Sequence, residues 1–258
     1  MNLEAASISS QPALLKPFWL AFIGPAWIVS LLFYALIAFI RFFAFFSPYE
    51  LQEVFFLQTV AMWALPFLFL TPSGRIEIGL SERRLAPRTL LFSALAGVAC
   101  ALIFFGVGMA IYDHSPNNWC ISIRNYLHLD EMHGIMSPSA LFALYALPAI
   151  LLNPIGEELL FRGFIQQAFA RRFNATVGTI VSSFLFGLIY LYLHGIWHDT
   201  TGFHLRAASA AIAVCLMAST GFVFALCRAL SRSLWPAMVA HAAFNLTLLG
   251  AAIVKFAR

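Results

Sequence analysis

The sequence predicts an all-α, multi-pass transmembrane bundle of about seven to eight spans. Three observations carry this. Of 258 residues, 62% are hydrophobic and only 10% are charged, against about 25% charged in soluble domains. The apolar residues gather in stretches close to the roughly 20 residues that a membrane-crossing helix needs. The basic residues lie singly or in small groups between those stretches, where membrane topology places them. So little polar surface cannot clothe a core in water, so the excess apolar surface must meet lipid. The net charge of +4 does not point to nucleic acid, because it is dispersed among the connectors.

Residues 1–16 are mostly polar. The apolar stretch that follows is too long for the core of a cleaved signal, so the first span is read as uncleaved, over 17–40. Further spans are predicted at 51–70, 89–112, 140–152, 176–193, 207–230 and 235–254. The fourth is short and runs into Asn153, Pro154 and Gly156. Proline lacks the amide donor and clashes inside a helix, so the chain is expected to kink or restart there. The apolar pattern resumes from Leu159 to Ala170, which makes an eighth element. Residues 1–139 then form N-terminal helices with a polar loop, and 140–258 a core, within one membrane domain.

Basic residues set the orientation. With the N-terminus inside, the inner segments carry Lys16, Arg75, Arg83, Arg84, Arg88, Arg171, Arg172, Arg228 and Arg232. The outer segments carry fewer: Arg41, Arg124, Arg206, Lys255 and Arg258. Two polar loops, 113–137 (with His114 and His133) and 194–206 (with His198 and His204), read as solvated connectors. Cys100, Cys120, Cys215 and Cys227 are scattered without a CxxC pair, so neither a disulfide nor a cysteine metal site is expected.

Chemistry points to the run Asn153-Pro-Ile-Gly-Glu-Glu-Leu-Leu-Phe-Arg-Gly163. Of the eleven acidic residues, nine lie in the tail, the loops or the ends of spans, and the two exceptions are Glu157 and Glu158. An ionisable group at membrane depth costs about 2.5–3.5 kcal/mol on insertion scales, so two together need a reason. Arg162 lies four residues after Glu158 on the same helical face and is the one cation expected near the pair. It can neutralise one carboxylate by a forked hydrogen bond, which leaves the other free as a general base. A structural lock between Glu158 and Arg162 is the plainer reading, but it leaves Glu157 unexplained. In the last span, His241 and Asn245 are four apart and face the same way. Imidazole can hold or protonate a water, and an amide can donate to a developing oxyanion.

In this order these segments resemble the CPBP family of membrane proteases, which includes the Rce1-type CAAX prenyl endopeptidases and the bacterial Abi proteins. The first family motif, EExxxR, is matched by Glu157, Glu158 and Arg162. The third, HxxxN, is matched by His241 and Asn245 after Ser233-Leu-Trp-Pro236. The resemblance covers about residues 140–250. The second motif, FxxxH, departs: Phe186-Gly-Leu-Ile is followed by Tyr190 where the histidine belongs, and His194 comes one turn later. Either a shifted helix brings His194 to the site, or Tyr190 replaces the histidine, or activity is lost; the first is expected here.

The resemblance implies an intramembrane endopeptidase in which Glu157 activates a water, Glu158 and Arg162 support it, His241 and Asn245 stabilise the oxyanion, and His194 assists. It implies a membrane-associated substrate, either a prenylated peptide or a leader or sorting peptide, and a location in the bacterial cytoplasmic membrane. No cofactor is expected. Zinc held by a glutamate and two histidines is the alternative, which the lack of an HExxH helix weakens. Two other classes remain: a catalytically inactive Abi-type protein serving bacteriocin immunity or partner binding, and a transporter, which would favour internal repeats that are not seen.

Overall fold

The computed structural model describes residues 12–47, 52–80, 85–127, 129–132, 135–199 and 201–256. Arg83, Arg84 and Arg258 of the charge distribution and His133 of the first polar loop lie outside them. Helix α1 spans Pro17–Phe22, α2 Ala26–Phe46, α3 Gln52–Phe69, α4 Pro72–Glu77, α5 Pro87–Tyr112 and α6 Trp119–Tyr126. The long helix α7 runs over Pro138–Arg172 and α8 over Ala175–His194. A hairpin of β1 (Ile196–Asp199) and β2 (Gly202–Leu205) leads to α9, Ala207–Ser231, and α10, Trp235–Phe256.

Six of these helices, α2, α5, α7, α8, α9 and α10, are long and apolar enough to cross a membrane, and Phe56–Phe69 in α3 is a shorter apolar stretch. The architecture is therefore an all-α multi-pass membrane bundle. Large apolar side chains such as Phe39, Phe43, Phe92 and Ile103 stand exposed on the outer faces of α2 and α5. On a lipid-facing surface that exposure carries no penalty.

Close helix contact needs small residues, because lipid supplies no hydrophobic drive to bring helices together. Gly97 on α5 lies so close to α10 that a Cβ there would sit 1.9 Å from the Ala240 carbonyl oxygen. Gly187 on α8 meets α9 in the same manner, 2.5 Å from the Val214 oxygen. These two contacts fix the depth and rotation of the helices that carry the polar residues.

Two expectations about helix ends change. The first apolar stretch is not one span: α1 ends before Gly24, which takes φ +118°, and Pro25 opens α2. The positive φ interrupts the helix, and the proline ring suits a helix start. The expected break at Pro154 does not occur. Helix α7 passes through it unbroken, by means of two π-helical stretches, Pro148–Leu152 and Leu159–Ile165, on either side of the α-helical turn Asn153–Glu158. In the first π stretch the Asn153 amide bonds the Pro148 carbonyl, one residue further back than in an α-helix. The widened turn lets the chain pass a residue with no amide proton. The second polar loop is also more ordered than a plain connector: β1 and β2 pair antiparallel from Ile196↔Leu205 to Asp199↔Gly202.

Candidate active site

Glu157 and Glu158 lie on the turn between the two π stretches, and both are fully buried, as are Arg162 and His241. π-bulges recur at functional sites because they re-aim side chains. Here the turn points both carboxylates inward, towards α10 and α2.

Each glutamate has its own arginine. Arg162 Nη1 donates to Glu158 Oε1 at 3.0 Å, and Nη2 donates to the Gly221 carbonyl on α9 at 2.9 Å. Its guanidinium carbon lies 4.2 Å from the centroid of the Phe186 ring, a desolvated cation–π contact. Arg41 Nη2 donates to Glu157 Oε1 at 2.8 Å, while its Nε donates to Gln58 Oε1 at 3.0 Å. Two carboxylates and two guanidiniums make the cluster neutral, which is what a lipid-embedded site requires. This corrects two expectations. Arg162 is not the sole cation near the glutamates, and Arg41 is not an outer-surface charge but a buried one, 3% exposed. The signal for it was in the sequence: the apolar run continues through Phe42-Phe-Ala-Phe-Phe46, which puts Arg41 within a helix rather than at its end.

His241 joins both glutamates. Its Nδ1 lies 2.9 Å from Glu158 Oε1, and its Nε2 lies 3.8 Å from Glu157 Oε2. Opposite an ionised carboxylate, Nδ1 carries the proton. Among the described residues Nε2 has no hydrogen-bond partner. Phe224 stacks on the ring at 5.1 Å and Phe186 meets it edge-on at 5.5 Å, so its orientation is fixed on three sides.

The second-motif contact is made by Tyr190. Its hydroxyl donates to Glu157 Oε2 at 2.8 Å. His194, expected in that place, lies a turn further along α8, stacked on the Tyr190 ring at 6.0 Å and packed on Phe104 at 5.4 Å. No hydrogen bond joins it to either glutamate among the described residues. The helix is not displaced by the one turn that His194 would need, so the residue at the motif position is the one that reaches the carboxylate.

Asn245 does not face the glutamates as expected. Its Nδ2 donates to the Ala149 carbonyl on α7 at 3.1 Å. That carbonyl is missing both of its helical donors. Its α-helical partner, the Asn153 amide, is bonded to Pro148, and its π-helical partner would be residue 154, a proline. Ala149 and Asn245 are half-buried; a carbonyl left unsatisfied away from water costs about 1–3 kcal/mol, and Asn245 removes that cost just before the glutamate-bearing turn. Asn245→Ala is therefore expected to lower stability by about 1–3 kcal/mol in the wild-type chain and by clearly less in a Pro154→Ala background, where residue 154 regains an amide proton. Thermal unfolding of the four variants in detergent checks this. Equal losses in both backgrounds would remove the assigned role.

The donor set does not fit zinc. Both oxygens of Glu157 accept hydrogen bonds, Glu158 Oε1 is shared by Arg162 and His241, and two guanidiniums would repel a dication. Among the described residues, no three His, Cys, Asp or Glu side chains are grouped to hold a metal ion. The four cysteines are free.

No curated protein and no solved structure matches the chain. Residues 138–247 match the family model described as type II CAAX prenyl endopeptidase Rce1-like. The match takes in α7, α8, the hairpin, α9 and most of α10, hence every cluster residue above except Arg41 and Gln58. The stretch that folds the paired glutamates against Arg162 and His241 is thus the part of the chain that matches the Rce1-like family.

Proposed function

We propose that the chain is an intramembrane endopeptidase in which a water activated by Glu157 hydrolyses a peptide bond of a membrane-associated peptide or protein. The observation that carries this reading is the pairing of Glu157 Oε2 with Nε2 of His241, which has no hydrogen-bond partner among the described residues; the two atoms are 3.8 Å apart and both side chains are buried. A water beside that gap can donate a proton to the carboxylate and a hydrogen bond to the imidazole. Each carboxylate oxygen has room for a second donor beyond the one it holds. Glu158 and Arg162 keep His241 in place through Nδ1. Tyr190 orients the second oxygen of Glu157, with His194 supporting the Tyr190 ring.

The roles need no metal, in keeping with the misfit of the donor set. A cleft of about 560 Å³ lies at the end of α8, lined by Phe45, Asn125, Leu193, Ile196, Trp197 and Arg206 among others. It offers a peptide an approach to the far end of α8. The substrate is proposed to be a lipidated C-terminal peptide, with leader and sorting peptides as the other candidates. The inside placement of the N-terminus rests on the basic residues, and it gains from the removal of Arg41 from the outer side.

A second reading is favoured by one observation: Glu157 already accepts hydrogen bonds on both oxygens, and a phenol stands at the family's histidine position. This suits an inactive Abi-type protein that binds a partner. Purified protein assayed with prenylated C-terminal, leader and sorting peptides separates the two. Cleavage by the wild type, with kcat reduced about 10²–10⁴-fold in Glu157→Gln as for loss of a general base, supports the protease. Absence of cleavage of all three classes, or equal rates for the two proteins, rejects it.

A further inference from the structure

Arg41 has no place in the family motifs and lies outside the matched stretch, yet it is the cation in direct contact with Glu157. It comes from α2, is 3% exposed and is held from behind by Gln58, itself buried. A structural counter-ion would explain its presence. It would not explain why the amide expected to receive the oxyanion, Asn245, is committed to the Ala149 carbonyl instead. With Asn245 so engaged, the site needs another donor for the charge that develops during peptide hydrolysis.

Building on the endopeptidase reading, we propose that Arg41 is a catalytic residue that stabilises the tetrahedral oxyanion, supplied to the Rce1-like domain by α2, which lies outside it. The charge follows a simple course. In the resting state, Glu157 is an anion bonded to Arg41 at 2.8 Å. Water gives one proton to Glu157 as its oxygen bonds to the peptide carbonyl carbon, and the negative charge moves from the carboxylate to the former carbonyl oxygen. The guanidinium loses its anionic partner at the moment a new anion forms beside it, so it can pass from one to the other without crossing lipid or being resolvated. Collapse re-forms the carbonyl and breaks the C–N bond, and the proton on Glu157 leaves with the amine. The cluster is neutral at each stage. Gln58 and the Tyr190 ring, whose centroid is 6.0 Å from the guanidinium carbon, limit how far Arg41 can move, which is the preorganisation that makes such donors effective.

The test is Arg41→Lys, which keeps the charge and the ion pair with Glu157 but loses the fork that can hold Gln58 and an oxyanion together. With a cleaved peptide, kcat is expected to fall about 10²–10³-fold, the range for loss of one oxyanion donor, while KM and the thermal midpoint stay close to wild type. A phosphinate analogue of the same peptide mimics the tetrahedral anion. Its affinity is expected to fall by the same factor as kcat/KM, whereas an uncleavable amide-isostere peptide binds both proteins equally. A purely structural Arg41 would not separate those two ligands. Arg41→Lys with near-wild-type kcat, or with equal losses for phosphinate and isostere, overturns the assignment and leaves the endopeptidase reading intact. A wild-type protein that cleaves none of the peptides overturns both. Arg41→Gln serves as a second variant if the lysine protein does not fold: it keeps hydrogen bonding without charge, and the same split between the two ligands is expected.

Discussion

Arg162→Ala is expected to destabilise the protein by about 3–5 kcal/mol, the range for removing one partner of a buried pair, and to leave little folded material in detergent. Three losses coincide. Glu158 would be a stranded charge at 0% exposure, and its Oε2 already lacks a partner among the described residues. The Gly221 carbonyl would lose the donor that ties α9 to α7. The faces of Phe186 and Phe224, 4.2 and 5.3 Å from the guanidinium carbon, would border a cavity. Glu157→Ala also strands an arginine, so the contrast between these variants is smaller than a single-cation site would give. Arg41, however, keeps its bond to Gln58, so Arg162→Ala remains the more damaging change. The double variant Glu158→Gln/Arg162→Met should recover much of the loss, because no charge is then left buried. Thermal midpoints in detergent decide the matter. Equal midpoints for Arg162→Ala and Glu157→Ala would contradict the assignment, as would a double variant worse than Arg162→Ala.

Gly97→Val is expected to cost at least the upper end of the roughly 1–3 kcal/mol typical of overpacking, and to abolish cleavage where the wild type cleaves. The atom in the way is backbone: a Cβ would sit 1.9 Å from the Ala240 oxygen and 2.8 Å from its carbonyl carbon. Neither can rotate aside, so α5 and α10 must part. Ala240 precedes His241, whose Nδ1 contact to Glu158 spans 2.9 Å and does not survive a shift of an ångström or more. Gly106→Ala on the same helix is the control. Nothing lies within 4 Å of its would-be Cβ, and alanine is favoured over glycine in a helix by roughly 0.5–1 kcal/mol, so stability should hold or rise. If the two variants unfold alike, close packing at Gly97 is not what sets the depth of His241.

The sequence by itself determined the solvent and the local pairs. Low charge and long apolar stretches leave lipid as the only medium for this surface, and they mark two adjacent glutamates as out of place. The step of four from Glu158 to Arg162 sets that ion pair within one helix, because α-helical geometry brings such residues to one face. The match of His241 to the glutamates was legible as well, since each is costly alone in lipid.

The other contacts between helices were decided by tertiary structure. Arg41 and Glu157 are 116 residues apart, and no local spacing joins them. The choice between Tyr190 and His194 turns on one helical step, about 5.4 Å, and so on how deeply α8 sits against α9 at Gly187. Asn245 shares a helical face with His241, but which partner its amide meets depends on a carbonyl freed by Pro154 and a π turn on another helix. Helix periodicity specifies which residues share a face. The depth and rotation of each helix, set by backbone contacts such as Gly97 against Ala240, specify what that face meets.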